Sequence, residues 1–120
     1  MVATPEDVTV DSPRPGVVVV SFTGEHDLAT SESVSEALET LVAENELVVA
    51  DFSGAQFVDS SLLSVLLATD RLARERGTTF RIQLGTEAIV ERAFEISGIL
   101  QAISWTSSRE EALSEARSAA

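Results

Sequence analysis

Apolar residues along this chain change their spacing several times, and each change marks an element. Val8 to Val10 is a short strand candidate, and Val17 to Thr23 is a longer, strongly β-branched one. Between them Asp11-Ser12-Pro13-Arg14-Pro15-Gly16 carries two prolines and a glycine, which predicts a turn and makes the pair a hairpin. Gly24-Glu25-His26-Asp27 reads as a loop. From about Thr30 the spacing becomes helical: Val34, Leu38, Leu41 and Val42 fall at i, i+4, i+7 and i+8, an amphipathic helix ending near Asn45.

Leu47 to Phe52 is a short apolar run with polar flanks, as suits a strand covered on both faces, and Ser53 to Asp59 reads as a loop. A second helix is predicted from Ser60 or Ser61 to Arg76. Arg71, Arg74 and Arg76 lie toward its negative end, and Gly77 is a stop signal. Thr79 to Leu84 alternates as a strand does. Thr86 to Ser97 places Ile89, Val90, Ala93 and Phe94 on one helical face, with Gly98 as its terminator. Ile99 to Trp105 is predicted to be extended. Ser107 or Ser108, followed three residues later by Glu110 or Glu111, is a capping box for a C-terminal helix.

Strands alternating with helices imply parallel pairing through right-handed crossovers, and the leading hairpin adds an antiparallel partner. The expected fold is α/β: a mixed β-sheet of four to five strands with about four α-helices. No repeat, linker or low-complexity segment divides the chain, so residues 1–120 are expected to form one domain, with 1–6 and 118–120 as flexible ends.

Composition narrows the chemistry. With 120 residues, 44% of them hydrophobic, the chain can bury roughly two thirds of its unfolded surface without covalent staples. The absence of cysteine excludes disulfides, thiolate metal sites and cysteine nucleophiles, and it suits a reducing compartment. Formal net charge is -12, and every basic residue is an arginine. Such a field repels a phosphate backbone or an anionic bilayer, so neither nucleic acid nor membrane is expected as a partner; its larger role is solubility. Without lysine there is no P-loop cation and no Schiff-base chemistry. The longest apolar stretch, Val17 to Val20, is far shorter than the roughly 20 residues that span a bilayer, and the chain opens on no secretory signal pattern; a cytoplasmic location is expected.

The most informative segment is Val49-Ala50-Asp51-Phe52-Ser53-Gly54-Ala55-Gln56-Phe57-Val58-Asp59-Ser60-Ser61, where an apolar strand leads through a loop into a helix. Asp59, Ser60 and Ser61 are all good N-cap residues, and capping alone accounts for such a cluster in most proteins. A helix start also tolerates a phosphate, through its exposed N–H groups and the positive end of the dipole. Phosphate on a serine there adds about 1.5 to 2 negative charges beside Asp59, which alters the surface a partner meets more than it alters the backbone. Leu62, Leu63, Val65, Leu66, Leu67 and Ala68 then make the first half of the helix apolar nearly all round. Neighbouring elements bury that excess, or part of it forms a protein-binding patch beside the serines.

Enzymatic readings find little support. A serine hydrolase needs a base near Ser61; the single histidine, His26, reads as a solvated loop residue, and no Gly-x-Ser-x-Gly elbow is present. Glu25, His26 and Asp27 are consecutive, without the spaced ligand set a metal requires. Asp27 and Asp59 as a glycosidase pair lack an aromatic sugar platform, since the chain has one tryptophan and no tyrosine. Trp105 is expected to serve in packing. The reading is a non-enzyme without cofactor or metal.

The residues resemble the STAS-domain anti-sigma factor antagonist family over almost the whole chain. Gly24-Glu25-His26-Asp27, with Thr30 shortly after, is similar to that family's Gly-Glu-Leu-Asp block. Asp59-Ser60-Ser61 followed by Leu63, Val65, Leu66 and Leu67 is similar to its most specific signature. Phe94-Glu95-Ile96-Ser97-Gly98-Ile99 is similar to its Phe-x-x-Ser-Gly before the last strand. The resemblance implies that Ser61 is a phosphate acceptor and that Asp27, Asp59, Ser60, Ser61 and Leu62 take part in partner binding. It implies as partners an anti-sigma factor with serine kinase activity, which the unphosphorylated form captures to free a sigma factor, and a metal-dependent serine phosphatase that restores this form. Leu62 and Ser64 stand where the family has glycines; they either hinder close approach by a kinase or retune which partner fits. The same resemblance admits another role, as an accessory STAS subunit of a lipid-transporting ABC system or part of a stress-sensing complex.

Overall fold

The computed structural model of the chain describes residues 7–26 and 28–114. The expected flexible ends, 1–6 and 118–120, and one candidate site residue, Asp27, lie outside the described residues. The chain begins with strands Val8–Arg14 (β1) and Val17–His26 (β2), followed by helix Leu28–Glu44 (α1). Strand Leu47–Val58 (β3), helix Ser60–Arg76 (α2) and strand Thr79–Gln83 (β4) come next. Helices Ala88–Ser97 (α3) and Ile99–Ala102 (α4), strand Ser104–Thr106 (β5) and helix Arg109–Ser114 (α5) complete it.

The five strands lie side by side in sequence order, with β1 antiparallel to β2 and every later neighbour parallel. The mixed sheet is therefore the expected one, although several boundaries differ. β1 runs through Pro13 to Arg14, which shrinks the turn to Pro15 and Gly16, the latter at φ +79°. Proline is tolerated because β1 is an edge strand, and the register slips between Asp11 and Arg14, where Ser12 Oγ donates instead to Val17 O at 3.0 Å. The stretch from Ile99, expected to be extended, first makes the helical turn α4, and only Ser104–Thr106 pairs with β4.

The main core lies on one face of the sheet. Val18, Val20 and Phe22 of β2, Val48, Ala50 and Phe52 of β3, and Phe80 and Ile82 of β4 meet Val34 and Leu38 of α1, Leu62 and Leu66 of α2, Val90 and Phe94 of α3, and Ile99 of α4. Phe52 is its hub: it stacks on Phe22 at a centroid distance of 4.4 Å and meets Phe94 edge-on at 5.1 Å, tying two strands to α3. On α3 only Val90 and Phe94 of the predicted face are fully inside. Ile89 is 60% exposed, a correction to that face, and Trp105, expected in packing, is 46% exposed.

A smaller cluster on the opposite face joins Val17, Val19, Leu47 and Val49 to Ala112 of α5. A six-residue helix is marginal alone, and arginines hold it in place. Arg81, buried on β4, donates from Nη1 to Ala112 O at 3.1 Å, and Arg14 donates to Leu113 O at 3.0 Å. Arg109 pairs with Asp11 at 2.8 Å. Of the two alternatives for the capping box, Ser108 with Glu111 is the one formed, Glu111 N donating to Ser108 Oγ at 3.2 Å.

The principal difference from the sequence reading is in β3. Residues 53–58, expected as a loop, continue the strand and stay paired with β2. Two extra residues enter β3, one between the pairs Ser21–Asp51 and Thr23–Gly54, the other between Gly24–Ala55 and Glu25–Phe57. Each bulge resets which side chain faces inward, so Phe52, Ala55 and Val58 are buried at intervals of three where an unbroken strand gives two. The bulged backbone is packed closely from the next strand's end. A Cβ on Gly85 would lie 2.7 Å from Ser53 Cα, a contact only glycine avoids. Gly85→Ala is therefore expected to cost about 1–3 kcal/mol of stability by overpacking against backbone. Urea denaturation measures it, and an unchanged midpoint would show that the β3 bulge yields freely.

Candidate functional site

The bulged end of β3, paired with the end of β2, delivers the start of α2 to the carboxyl edge of the sheet, where open α/β sheets carry their sites. Val58 lies opposite His26 in the ladder, and one residue on, Asp59 N donates to His26 O at 3.1 Å. Asp59 is extended, at φ -111° and ψ 179°, and is the N-cap of α2. Its carbonyl accepts the first helical bond from Leu63 N at 3.2 Å. Oδ1 of its side chain accepts from Ser61 N at 3.0 Å, from Leu62 N at 3.3 Å and from Ser61 Oγ at 2.5 Å. The positive end of the helix dipole favours a carboxylate there. At the far end Gly77, at φ +76°, donates to Ala73 O and Arg74 O and stops the helix at the predicted residue.

Of the three cap candidates, the structure thus selects Asp59. It also changes the account of the helix start. The N–H groups of Ser61 and Leu62 are not open to an incoming anion, because the Asp59 carboxylate already holds them. Ser60 is exposed, and its side chain makes no hydrogen bond among the described residues. Ser61 is half-buried, with its hydroxyl turned toward Asp59. Leu62, which the resemblance places among the partner-binding residues, is fully buried, and its side chain belongs to the core. The apolar excess of α2 resolves the same way, with Leu62, Leu63 and Leu66 inside and Leu67 and Ala68 exposed on the outer surface. Leu67 borders an open hollow of about 540 Å³ shared with Asp70, Arg71, Arg74, Gln101 and Ala102.

His26 is the residue the sequence reading misplaced. It is not a solvated loop side chain; it is fully buried at the end of β2, edge-on to Phe22 at 5.2 Å. Nε2 lies 2.9 Å from Thr23 O, and since a carbonyl only accepts, Nε2 carries the proton. Nδ1 is then an acceptor, buried without a partner. The signal was in the sequence: Val18, Val20, Phe22, Gly24 and His26 continue one alternating face. The Ser61 hydroxyl bonds to the Asp59 carboxylate and not to the imidazole, whose one hydrogen bond among the described residues is to Thr23 O. Among the described residues no group of three or more His, Cys, Asp or Glu is placed to hold a metal, and no helix is long and apolar enough to cross a membrane.

A layered α/β domain with a capped serine at the carboxyl edge of its sheet has known relatives. The STAS domain family model matches residues 11–113, and the chain belongs to that family. Among curated proteins it is 38% identical over 69 residues to the anti-sigma-F factor antagonist RsfB of Mycobacterium tuberculosis; the match spans 56% of this chain and 57% of RsfB, little more than half of either. The crystal structure of an anti-sigma factor antagonist from Mycobacterium paratuberculosis superposes with a TM-score of 0.79 at 25% identity, over 96% of this chain and 99% of that one. SpoIIAA from Bacillus shares the fold. Its unphosphorylated form gives a TM-score of 0.75 at 21% identity over 92% of this chain and 96% of that one, and its phosphorylated form gives 0.67 at 20% identity over 90% and 97%.

Replacing His26 by leucine removes an unpaired buried acceptor, worth about 1–3 kcal/mol, together with one hydrogen bond of about 0.5–1.5 kcal/mol. His26→Leu is thus expected to be neutral or stabilising. A loss above about 2 kcal/mol in chemical denaturation would mean that the imidazole contributes more than its single bond to Thr23.

Proposed function

We propose that this chain is an anti-sigma factor antagonist that acts in the cytoplasm as a binding protein and not as an enzyme. Its unphosphorylated form captures an anti-sigma factor with serine kinase activity and thereby frees a sigma factor. Transfer of a phosphoryl group from ATP to Ser61 ends that binding, and a metal-dependent serine phosphatase restores it. The observation that carries the reading is the placement of Ser61: half-buried on the first turn of α2, it gives its hydroxyl to an N-cap, two residues before it, that the sheet holds by the Asp59 to His26 backbone bond. Support also comes from the antagonist names of RsfB and of the Mycobacterium paratuberculosis protein.

The surface around Ser61 fits this role. Ser60 is exposed beside it and Leu67 is exposed two turns along α2, so a partner docking on the helix covers both hydroxyl-bearing residues and an apolar anchor. Asp27 belongs to the same proposed surface on the strength of the resemblance alone. A dianion introduced at the centre of such an interface faces a protein of net charge -12, and an unpaired charge buried there weakens binding by several kcal/mol.

The test is a binding series against the kinase-type anti-sigma factor, paired with phosphorylation by that factor and ATP. Ser61→Ala is expected to bind as wild type does and to resist release by ATP, whereas Ser61→Glu is expected to bind on the order of 100-fold more weakly. Equal affinity of all three chains, or phosphate mapped to another residue, would remove the switch. Recovery of a transporter ATPase in place of an anti-sigma factor would transfer the chain to the accessory role in lipid transport.

A further inference from the structure

We infer that phosphorylation of Ser61 evicts Asp59 from the cap of α2, so that the cap is formed by Asp59 in the unmodified protein and by the phosphate in the modified one. This rests on the reading of Ser61 as the phosphoacceptor and concerns what the modification does inside the domain. The basis is that one oxygen atom serves three donors. Oδ1 of Asp59 accepts from the Ser61 and Leu62 N–H groups and from the Ser61 hydroxyl.

Phosphoryl transfer joins Ser61 Oγ to phosphorus, breaks the bond from the γ-phosphorus to the bridging oxygen of ATP, and lets ADP leave with the electron pair; the hydroxyl proton departs to solvent. Its first acceptor is the oxygen it already faces, Asp59 Oδ1. Once the proton is gone, the 2.5 Å separation of Oγ and Oδ1 has nothing left to hold it, since two oxygens at that distance attract only through a shared hydrogen. The ester also places about 1.5 to 2 negative charges next to a carboxylate, and like charges at such range strongly disfavour one another.

The phosphate wins this exchange for two reasons. It brings three strong acceptor oxygens to a helix start whose N–H groups and dipole suit an anion, and it is tethered within the first turn. Asp59 is only half-buried, so its side chain can turn to water while its backbone bond to His26 stays in place. The fold is retained and α2 keeps its seat. What changes is confined to one side chain and one ester, and the partner meets a carboxylate turned outward beside a phosphate.

The full chain carrying phosphoserine encoded genetically at position 61 tests this against the unmodified chain, each as wild type, Asp59→Asn and Asp59→Ala. In the unmodified chain Asp59→Ala is expected to lower the melting temperature by about 3–6 °C through loss of the cap, while Asp59→Asn, itself a good cap, leaves it nearly unchanged. In the phosphoserine chain neither substitution lowers it, because the phosphate and not Asp59 then forms the cap. Equal losses for Asp59→Ala in the two forms would overturn the inference. Because phosphoserine is installed without a kinase, failure of ATP and the anti-sigma factor to modify Ser61 would count against the proposed function and not against the exchange of caps.

Discussion

Parallel pairing between β2 and β3, carried past Asp51 by two bulges, decides where everything at the carboxyl edge of the sheet falls. Without the extra residues the alternation would turn Ala55 or Val58 to solvent and break the core that α2 and α3 sit on. With them Phe52, Ala55 and Val58 all point inward, β3 bends and twists, and Asp59 arrives beside His26 in time to end the ladder and open a helix. The close approach of Gly85 to Ser53 fastens the bulged segment from its other neighbour. A functional hydroxyl on such an element inherits the rigidity of the sheet, which loops do not supply.

The same bulges explain what the sequence did and did not reveal. Helix α1 was legible because its apolar residues keep a helical spacing, and α2 because cap residues open it, arginines gather toward its end and Gly77 stands where a left-handed residue is required. Residues 53–58 were not, since burial at intervals of three matches no strand template and the stretch contains Ser53, Gly54 and Gln56, all common in loops. Misreading that half of β3 as a loop also detached the paired half of β2, and His26 went with it to the surface. Its alternation with Val18, Val20 and Phe22 was visible, but Gly24 interrupts the pattern at the one position where a side chain would have confirmed it. The turn α4 and the exposure of Ile89 were hidden for a different reason. A four-residue helix is too short to show a period, and Ile89 differs from Val90 only in which side of α3 the tertiary structure leaves open.

The candidate site was legible in identity more than in geometry. Asp59, Ser60 and Ser61 stood out because cap residues precede an apolar run, yet three adjacent cappers give no way to choose among them. The choice depends on the backbone bond from Asp59 N to His26 O, which fixes Asp59 in the extended conformation an N-cap needs and sends Ser60 outward and Ser61 partly inward. The resemblance implies a part for Leu62 in partner binding, and the helical phase places its side chain in the core. A large apolar residue at that position packs over the sheet.

Asp59 joins the stability of the fold to the proposed switch, and the sizes of the two effects explain why they can share a residue. A cap contributes about 1 kcal/mol, a small part of the 5–15 kcal/mol that holds a domain together, so its exchange leaves the fold intact. A misplaced charge in an interface costs several kcal/mol, enough to dissociate a partner. A modification that trades one cap for another therefore spends little inside the domain and delivers most of its effect at the surface. The acidic character of the whole chain strengthens this division: with a net charge of -12 the protein offers an incoming phosphate few cations to neutralise it, and Arg74, the α2 arginine tied by Asp70 and Ala102 O, is held away from the helix start. Within the domain the added charge would meet only the N–H groups and dipole of the helix start, so most of its cost would fall on the surface the proposed partner meets.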